Sequence, residues 1–315
     1  MKTRIETQVD FPGDLMGDPD LSGQNFPIVI AGYKGVMIMP QLQSDWKKSF
    51  SQIPSQASLD HPKSKLKYNN FDWGRTLSSN GISSFKACII CFEFNKNQHY
   101  KVAATKIARE SYNYFDKMVL FLDIIAETTI RNDYARETKK IQPTFYTNYK
   151  GKVFNVSERF YYATAILPPS SGIQRKQISE SIKYSNQNFD PNIAHKYICD
   201  ARYALRNNDL RKSIIDTGTA LEIALTRICE ANLRKTNPQK YVDEILRKFK
   251  TLGGRLLLAD ILNFDLITTK NDVYKSIVEP RNKTIHQGII HSRGQIENAV
   301  KIGGLIIKKH CSYYE

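Results

Sequence analysis

The chain has 315 residues, enough for two domains that each bury a core. Its 41% hydrophobic and 24% charged residues are typical of a globular protein and exclude a disordered chain. The formal net charge of +15 favours a polyanionic partner, most commonly nucleic acid, although a compositional excess of lysine would give the same charge.

Two further features of the sequence predict the cellular compartment of the protein. No apolar segment is long enough to span a bilayer, and the N-terminal residues lack the apolar core of a signal peptide. The five cysteines have scattered spacings, and Cys199 and Cys229 fall within predicted helices, which argues against a disulfide framework. We therefore predict a cytoplasmic protein without membrane association.

The N-terminal half has a mixed pattern of strands and a helix. Residues 1–25 are acidic and contain Gly and Pro, which indicates an irregular lead-in. Residues 41–82 are rich in Ser, Gln, Asn and Pro, which indicates loops. Apolar periodicity predicts the regular elements, which are two strands in 26–40, one strand in 84–95, a helix in 100–126 and a hairpin in 144–167.

The pattern changes after the Pro168-Pro169-Ser170-Ser171-Gly172 segment, which is typical of a linker. Helical candidates then follow one another, with starts at Asp209 and Asn237-Pro238 and breaks at Gly253-Gly254 and Gly288. They span residues 191–206, 209–235, 238–250, 253–265, 271–287 and 292–310. We predict an α+β protein with a mixed α/β domain in 1–172 and an all-α helical bundle in 173–315.

Arg281, Asn282 and His286 stand within about one and a half turns of the fifth predicted helix. A histidine can transfer a proton near neutral pH, and an arginine can hold a phosphate that gains negative charge in the transition state. An asparagine can orient either neighbour. RNA cleavage without a metal ion requires these side chains, so they are candidate catalytic residues. The alternatives are a chance match and polar surface residues near a helix end.

The helical period of about 3.6 residues places Arg281 and His286 on different sides of the helix. Asn282 and His286 are four residues apart and share a face, whereas Arg281 and His286 diverge by roughly 140°. One helix therefore cannot easily direct both onto one phosphate, but two copies across a twofold axis could. Pro280 suits a first helical position or a kink, and a helix that restarts there would offer free N–H groups to a phosphate.

The motif resembles the Arg-x4–6-His signature of the HEPN superfamily, in which a polar residue, often Asn, follows the Arg. Residues 201–230 are similar to the two-helix hairpin that precedes the motif helix in this family, and residues 292–309 are similar to its closing amphipathic helix. The resemblance covers about residues 190–312. It implies a helical bundle, a homodimer with a composite site, and a metal-independent endoribonuclease that leaves 2′,3′-cyclic phosphate and 5′-hydroxyl ends.

The resemblance also implies a biological setting. Many HEPN ribonucleases are toxins or abortive-infection effectors that cut tRNA anticodon loops or mRNA in response to phage. The expected partners are therefore RNA, a second copy of the chain, and either a phage protein that triggers cutting or an antitoxin that restrains it. Domain 1–172 would then act as a regulator, a sensor or a substrate selector.

Glu222 lies in the apolar sector of its predicted helix, beside Ile215 and Leu225. A carboxylate there is partly buried and needs a cationic partner. We expect Arg281 to be that partner, so that Glu222 would fix the guanidinium for a phosphate. The alternative is a solvated glutamate, which is the usual position of this residue type.

Basic residues elsewhere are candidate RNA contacts. Arg247, Lys248 and Lys250 belong to a stretch with few acids, and Lys283 lies within the motif. A solvated helix face is the alternative for the first three. No phosphate-binding glycine loop, nucleotide-binding turn or convergent metal-ligand set is present in the sequence, so we expect neither cofactor nor metal.

Two other functions remain open. A HEPN protein could bind RNA or a nucleotide without cleaving it, with the motif kept as a structural element of the helix. It could also act chiefly as one subunit of a toxin–antitoxin pair. Substitution of His286 separates an enzyme from a binding protein, because only an enzyme would lose activity.

Overall fold

The computed structural model describes residues 3–40, 74–76, 83–95, 100–127, 146–149, 152–153 and 172–315. The mixed α and β content predicted from the sequence is confirmed. The chain divides into one unit that ends at Phe189 and a second that combines Glu127–Thr129 with Asp190–Glu315. The expected division lies between residues 172 and 173, so the first unit holds one more helix than expected. The predicted linker at 168–171 lies outside the described residues.

The first unit is built on an antiparallel sheet. Its strands are β1 (Thr3–Gly17), β2 (Asn25–Ile30), β3 (Tyr33–Ile38), β4 (Gly74–Thr76), β5 (Ser83–Phe94), β6 (Tyr146–Tyr149) and β7 (Lys152–Val153). They are ordered β2-β3-β5-β1-β6-β7, with β4 also paired to β5. The predicted strand pair in 26–40 and the strand in 84–95 are confirmed, and β6 pairs with β7 inside the segment predicted as a hairpin.

The predicted irregular lead-in at residues 1–25 is wrong, because most of it forms β1. This strand pairs along β5 from Thr3 opposite Phe94 to Gly17 opposite Ser83, with a shift in register between Asp10 and Leu15. Its Ile5, Val9 and Leu15 are buried, but the polar and charged residues between them leave no clear apolar alternation in the sequence. Its pairing partner is remote in sequence, so local composition did not reveal the strand.

Two helices cover the sheet. Helix α1 (Tyr100–Ala126) matches the predicted range, and α2 (Arg175–Asn186) was not predicted. Helix α2 has few apolar residues, but its Ile178 and Ile182 are buried in one core with residues of α1 and the sheet. The core of this unit therefore lies between a face of the sheet and the apolar faces of the two helices.

The second unit is helical throughout its regular elements. Its helices are α3 (Ile193–Arg206), α4 (Leu210–Leu233), α5 (Gln239–Lys248), α6 (Leu252–Ile261), α7 (Lys270–Val273), α8 (Glu279–Gln287) and α9 (Arg293–His310). Helix α4 lies at the centre, where α3, α5, α6, α8 and α9 all pack against it. Most of its apolar residues are buried, and Leu221, Ala224 and Leu225 are fully buried. A side chain on α4 can therefore support residues from several helices.

Most of the predicted helix ends are confirmed. Asp209 caps α4 by accepting a hydrogen bond from the Lys212 N–H at 3.0 Å. Gly288 ends α8 with a φ of 69°, a left-handed conformation that glycine adopts without strain. The predicted break at Gly253-Gly254 is wrong, because both glycines lie in the first turn of α6 and Thr251 caps that helix. The chain turns before them, after α5 ends at Lys248.

A buried arginine, which is not among the residues predicted from the sequence, joins three helices. Arg255 on α6 donates from Nε to the Thr226 hydroxyl (3.0 Å) and from Nη1 to the Leu246 carbonyl (2.6 Å). Thr226 donates in turn to the carbonyl of Glu222 at 2.7 Å. The network therefore ties α5 and α6 to the turn of α4 that carries Glu222.

Replacement of Arg255 by methionine is expected to destabilise the protein by about 2 kcal/mol or more, because it leaves the buried Leu246 carbonyl without its charged donor. The exposed Arg247→Met is the matched control and should change the free energy of unfolding by less than ~0.5 kcal/mol. Urea denaturation followed by circular dichroism measures both. Equal midpoints for the two variants would show that the network contributes nothing to stability.

The five cysteines are free thiols, and four of them are buried. Burial raises the pKa of Cys229 to about 11, so this side chain is a neutral core residue. Within the described ranges, no helix combines the length and the apolar character needed to cross a bilayer.

Candidate active site

The motif lies on a helical run from Lys270 to Gln287 that contains a π turn. This wide turn, Tyr274–Val278, separates α7 from α8, and the Glu279 N–H donates to the Tyr274 carbonyl five residues earlier. Pro280 follows directly. A proline inside an α-helix lacks the N–H and clashes with the carbonyl four residues before it. The carbonyl four residues before Pro280 belongs to Ser276, which lies within the widened turn, and π turns often occur at functional sites.

Arg281 points from α8 toward α4 and fits over a glycine. A Cβ atom on Gly218 would lie 2.8 Å from Cγ of Arg281, closer than side chains tolerate. The absence of a side chain at Gly218 is therefore what lets the stem of Arg281 lie against α4. Gly218 is not among the site residues predicted from the sequence. The available signal was a glycine inside an otherwise strong helical pattern, four residues before Glu222.

The expected pairing of Glu222 with Arg281 is confirmed. The carboxylate Oε2 lies 3.6 Å from Nη2 of Arg281, and the two side chains are 32% and 23% exposed. Because both lie in partly buried positions, the charge of each is less screened than on an open surface. The alternative was a solvated glutamate, but the side chain of Glu222 is only partly exposed and lies beside a cation.

The guanidinium of Arg281 has N–H groups that bond to no described residue and could donate to a ligand. Its Nη1 donates to the Asn282 side-chain oxygen at 3.2 Å, while the buried Nε has no hydrogen-bond partner among the described residues. A guanidinium carries five N–H donors, so most of them are not used within the described part of the protein. The group is therefore oriented on one side by Glu222 and Asn282 and retains hydrogen-bonding capacity for an anion.

His286 lies one turn beyond Asn282 and is exposed. Within the described part of the chain it makes no hydrogen bond or ion pair, in contrast to Arg281. The two ends of the motif therefore have different environments: Arg281 is held against α4, and the His286 imidazole is open to solvent. This agrees with the divergence of roughly 140° expected from the helical period.

The end of α8 and the loop after it present exposed apolar side chains close to His286 in sequence. Ile285, Ile289 and Ile290 are 38%, 41% and 71% exposed. The loop is held in place, because the Thr284 hydroxyl donates to the Ile289 carbonyl at 3.0 Å and His291 Nε2 hydrogen-bonds the Pro280 carbonyl at 3.1 Å. One exposed isoleucine at the end of a helix and two on the fixed loop after it are typical of a surface that contacts another protein.

The predicted RNA contacts divide into two groups. Lys283 forms an ion pair with Glu279 at 2.7 Å, one turn earlier on α8, and this hydrogen bond lowers the pKa of Glu279. Arg247, Lys248 and Lys250 are exposed at the end of α5 and make no ion pair with a described residue. Helices α5 and α8 both pack on α4. The α5 cations are therefore the ones available for a phosphate backbone.

No group of three or more His, Cys, Asp or Glu side chains within the described residues is arranged to hold a metal ion. The candidate site thus consists of Arg281, Asn282, His286 and Glu222, with Gly218 beneath the arginine. Comparison of the chain with protein-family models, with curated proteins and with solved structures gave no match, so the roles of these residues rest on their geometry and chemistry.

Proposed function

We propose that the protein is an endoribonuclease of the HEPN type that cleaves RNA by transesterification without a metal ion. The observation that carries the proposal is that one helix carries both an arginine fixed by its neighbours and an exposed histidine that bonds to no described residue. Arg281 is held by Gly218, Glu222 and Asn282, and His286 is exposed one and a half turns later.

The chemistry assigns one role to each side chain. The 2′-oxygen attacks the adjacent phosphorus, the bond from phosphorus to the 5′-oxygen breaks, and a 2′,3′-cyclic phosphate forms. His286 takes the proton from the 2′-hydroxyl or gives one to the leaving 5′-oxygen. The guanidinium of Arg281 stabilises the charge on the phosphorane, and Asn282 and Glu222 orient that guanidinium.

The reaction is proposed to occur in a homodimer. The separation between the environments of Arg281 and His286 on one protomer favours a site that two copies complete together. The exposed Ile285, Ile289 and Ile290 flank His286 and would be buried by such an association. Contacts through this surface would bring Arg281 of one copy and His286 of the other to one phosphodiester.

The substrate class follows from the family resemblance. A tRNA, cut in its anticodon loop, is the first candidate, and mRNA is the second. The setting would be an abortive-infection response or a toxin–antitoxin pair, in which a phage protein releases the activity or an antitoxin restrains it. In either setting the first unit would carry the regulatory role.

The proposal is tested by incubating purified protein with total cellular RNA and excess EDTA. We expect discrete fragments whose ends carry 2′,3′-cyclic phosphate and 5′-hydroxyl groups, and sequencing of these ends would identify the substrate. Cleavage that stops in EDTA, or that leaves 5′-phosphate ends, would contradict the proposed chemistry. Size-exclusion chromatography with light scattering tests the dimer separately.

The exposed cations at the end of α5 are expected to bind the RNA backbone. Replacing Arg247, Lys248 and Lys250 by glutamine should weaken RNA binding and reduce the slope of log K against log salt by about 0.7 for each phosphate that the protein no longer neutralises. Fluorescence anisotropy with labelled RNA measures this, in the His286→Ala background so that the probe stays intact.

The matched control removes three exposed lysines from helices of the first unit, Lys101, Lys176 and Lys183. It changes the net charge by the same amount, so it should lower affinity less and leave the salt slope nearly unchanged. Equal effects of the two triple variants would mean that RNA affinity depends on the net charge of the protein and not on the α5 cations.

Binding of RNA without cleavage is the second candidate function. The α5 cations, which pair with no described acid, favour it, because they serve binding whether or not the motif is catalytic. Under this alternative the His286→Ala variant would bind RNA like the wild type, and the wild type would leave RNA intact in the EDTA experiment.

A further inference from the structure

A cleft in the first unit lies between α1, the end of α2 and the turn that joins β2 to β3. Its volume is about 830 Å³, which is within the range of roughly 300–1,000 Å³ that is common for small-molecule sites. None of the residues assigned above to RNA cleavage or RNA binding lines it.

Cations from one face of α1 dominate this cleft. Lys106, Arg109 and Lys117 line it, against a single carboxylate, Glu110. Their spacings of three and eleven residues place them on the same side of the helix. Lys106 and Arg109 are exposed and make no ion pair with a described residue. Cations that converge on a concave surface with few acidic partners raise the local concentration of anions.

The wall of the cleft is fixed by a hydrogen-bonded asparagine. The Asn186 side-chain oxygen accepts hydrogen bonds from the Val29 N–H and from the Tyr114 hydroxyl, both at 2.8 Å. Its amide nitrogen donates to the Pro27 carbonyl at 3.1 Å. Burial raises the pKa of Tyr114, so its hydroxyl remains a donor. The edge strand β2 is thereby tied to α1 and α2, and the cleft is preformed.

Groups for an uncharged part of a ligand are also present. Val29 and Ala31 add apolar surface, and the exposed Asn113 offers both an amide donor and an acceptor. Lys117 is oriented by donating to the Asn188 side-chain oxygen at 3.0 Å. The cleft therefore combines a cationic side with a side whose apolar and amide groups suit a sugar or a heterocycle.

We propose that this cleft binds a phosphorylated small molecule of mononucleotide size. The excess of two positive charges among the lining side chains matches a phosphate monoester or a diphosphate, and a guanidinium can bind phosphate oxygens in a bidentate manner. This site is separate from the proposed ribonuclease site and does not depend on it.

The test is isothermal titration calorimetry of the full-length protein with pyrophosphate, AMP and ATP at about 0.1 M salt. We expect saturable binding of at least one probe, with a Kd below about 1 mM. In the Lys106→Gln, Arg109→Gln double variant the affinity should fall at least tenfold. Loss of binding there with RNA cleavage retained would separate this site from the nuclease.

The control is the Lys101→Gln, Lys176→Gln double variant, which removes two exposed cations of the same unit that lie outside the cleft. It should bind the probes with wild-type affinity. The proposal is overturned if no probe binds at millimolar concentration or if the two double variants weaken binding equally. It is also overturned if the Lys106 and Arg109 changes reduce affinity for RNA and not for the small probes, because the cleft would then be an RNA surface.

Discussion

His286→Ala is expected to reduce the rate of RNA cleavage by roughly 10²–10⁴-fold, the usual contribution of a general acid or base. The exposed imidazole makes no hydrogen bond with a described residue, so the free energy of unfolding should change by less than ~0.5 kcal/mol. Single-turnover cleavage of labelled RNA in EDTA gives the rate, and urea denaturation gives the stability.

The matched control is His310→Ala, which removes a histidine from α9 that hydrogen-bonds the Asp265 carbonyl. It should cut RNA at the wild-type rate, even if its stability falls. An unchanged rate in His286→Ala would contradict the assigned mechanism, and a large loss of stability would mean that His286 has a structural role.

A mixing experiment tests whether the site is shared between protomers. The His286→Ala and Arg281→Ala proteins should each cut RNA much more slowly than the wild type when assayed alone. In a heterodimer of the two, one shared site would combine an intact Arg281 with an intact His286 from the other copy, so activity should return on mixing. A different result would be that heterodimers form without any return of activity. In that case either both residues of one site lie on the same protomer, or one site needs the histidines of both protomers.

The helices of the second unit were predictable because each one is marked locally. Asp209 and Gly288 set boundaries through capping and left-handed geometry, and both effects depend on residues within one turn. By contrast, β1 is stabilised by pairing with β5, which is remote in sequence. Residues 1–25 carry no local pattern strong enough to reveal that pairing.

In the candidate site, too, features that depend on local residues were predictable from the sequence and features that depend on helix packing were not. The pairing of Glu222 with Arg281 was predictable, because a carboxylate in an apolar helix sector requires a cation. The π turn at Tyr274–Val278 and the role of Gly218 were not, since both depend on how α8 lies against α4. The cleft of the first unit combines three segments that are far apart in sequence, so no single stretch of residues indicated it.

Gly218→Ala is expected to lower the RNA cleavage rate by about tenfold to a hundredfold without unfolding the protein. The added Cβ would lie 2.8 Å from Cγ of Arg281 and displace its stem, and a displacement of about 1 Å at a catalytic group can cost roughly 10²-fold. Alanine is the better helix former by about 0.8–1 kcal/mol, which offsets part of the steric cost to stability.

Gly294→Ala on α9 is the control, because a Cβ there meets no described atom within 4 Å. It should leave cleavage unchanged. A double-mutant cycle with Arg281→Ala shows whether Gly218 acts through the arginine: the Gly218→Ala, Arg281→Ala protein should then be no slower than Arg281→Ala alone. Additive losses would instead mean that Gly218 affects the reaction independently of Arg281, and the guanidinium would not be positioned by the close approach of α8 to α4.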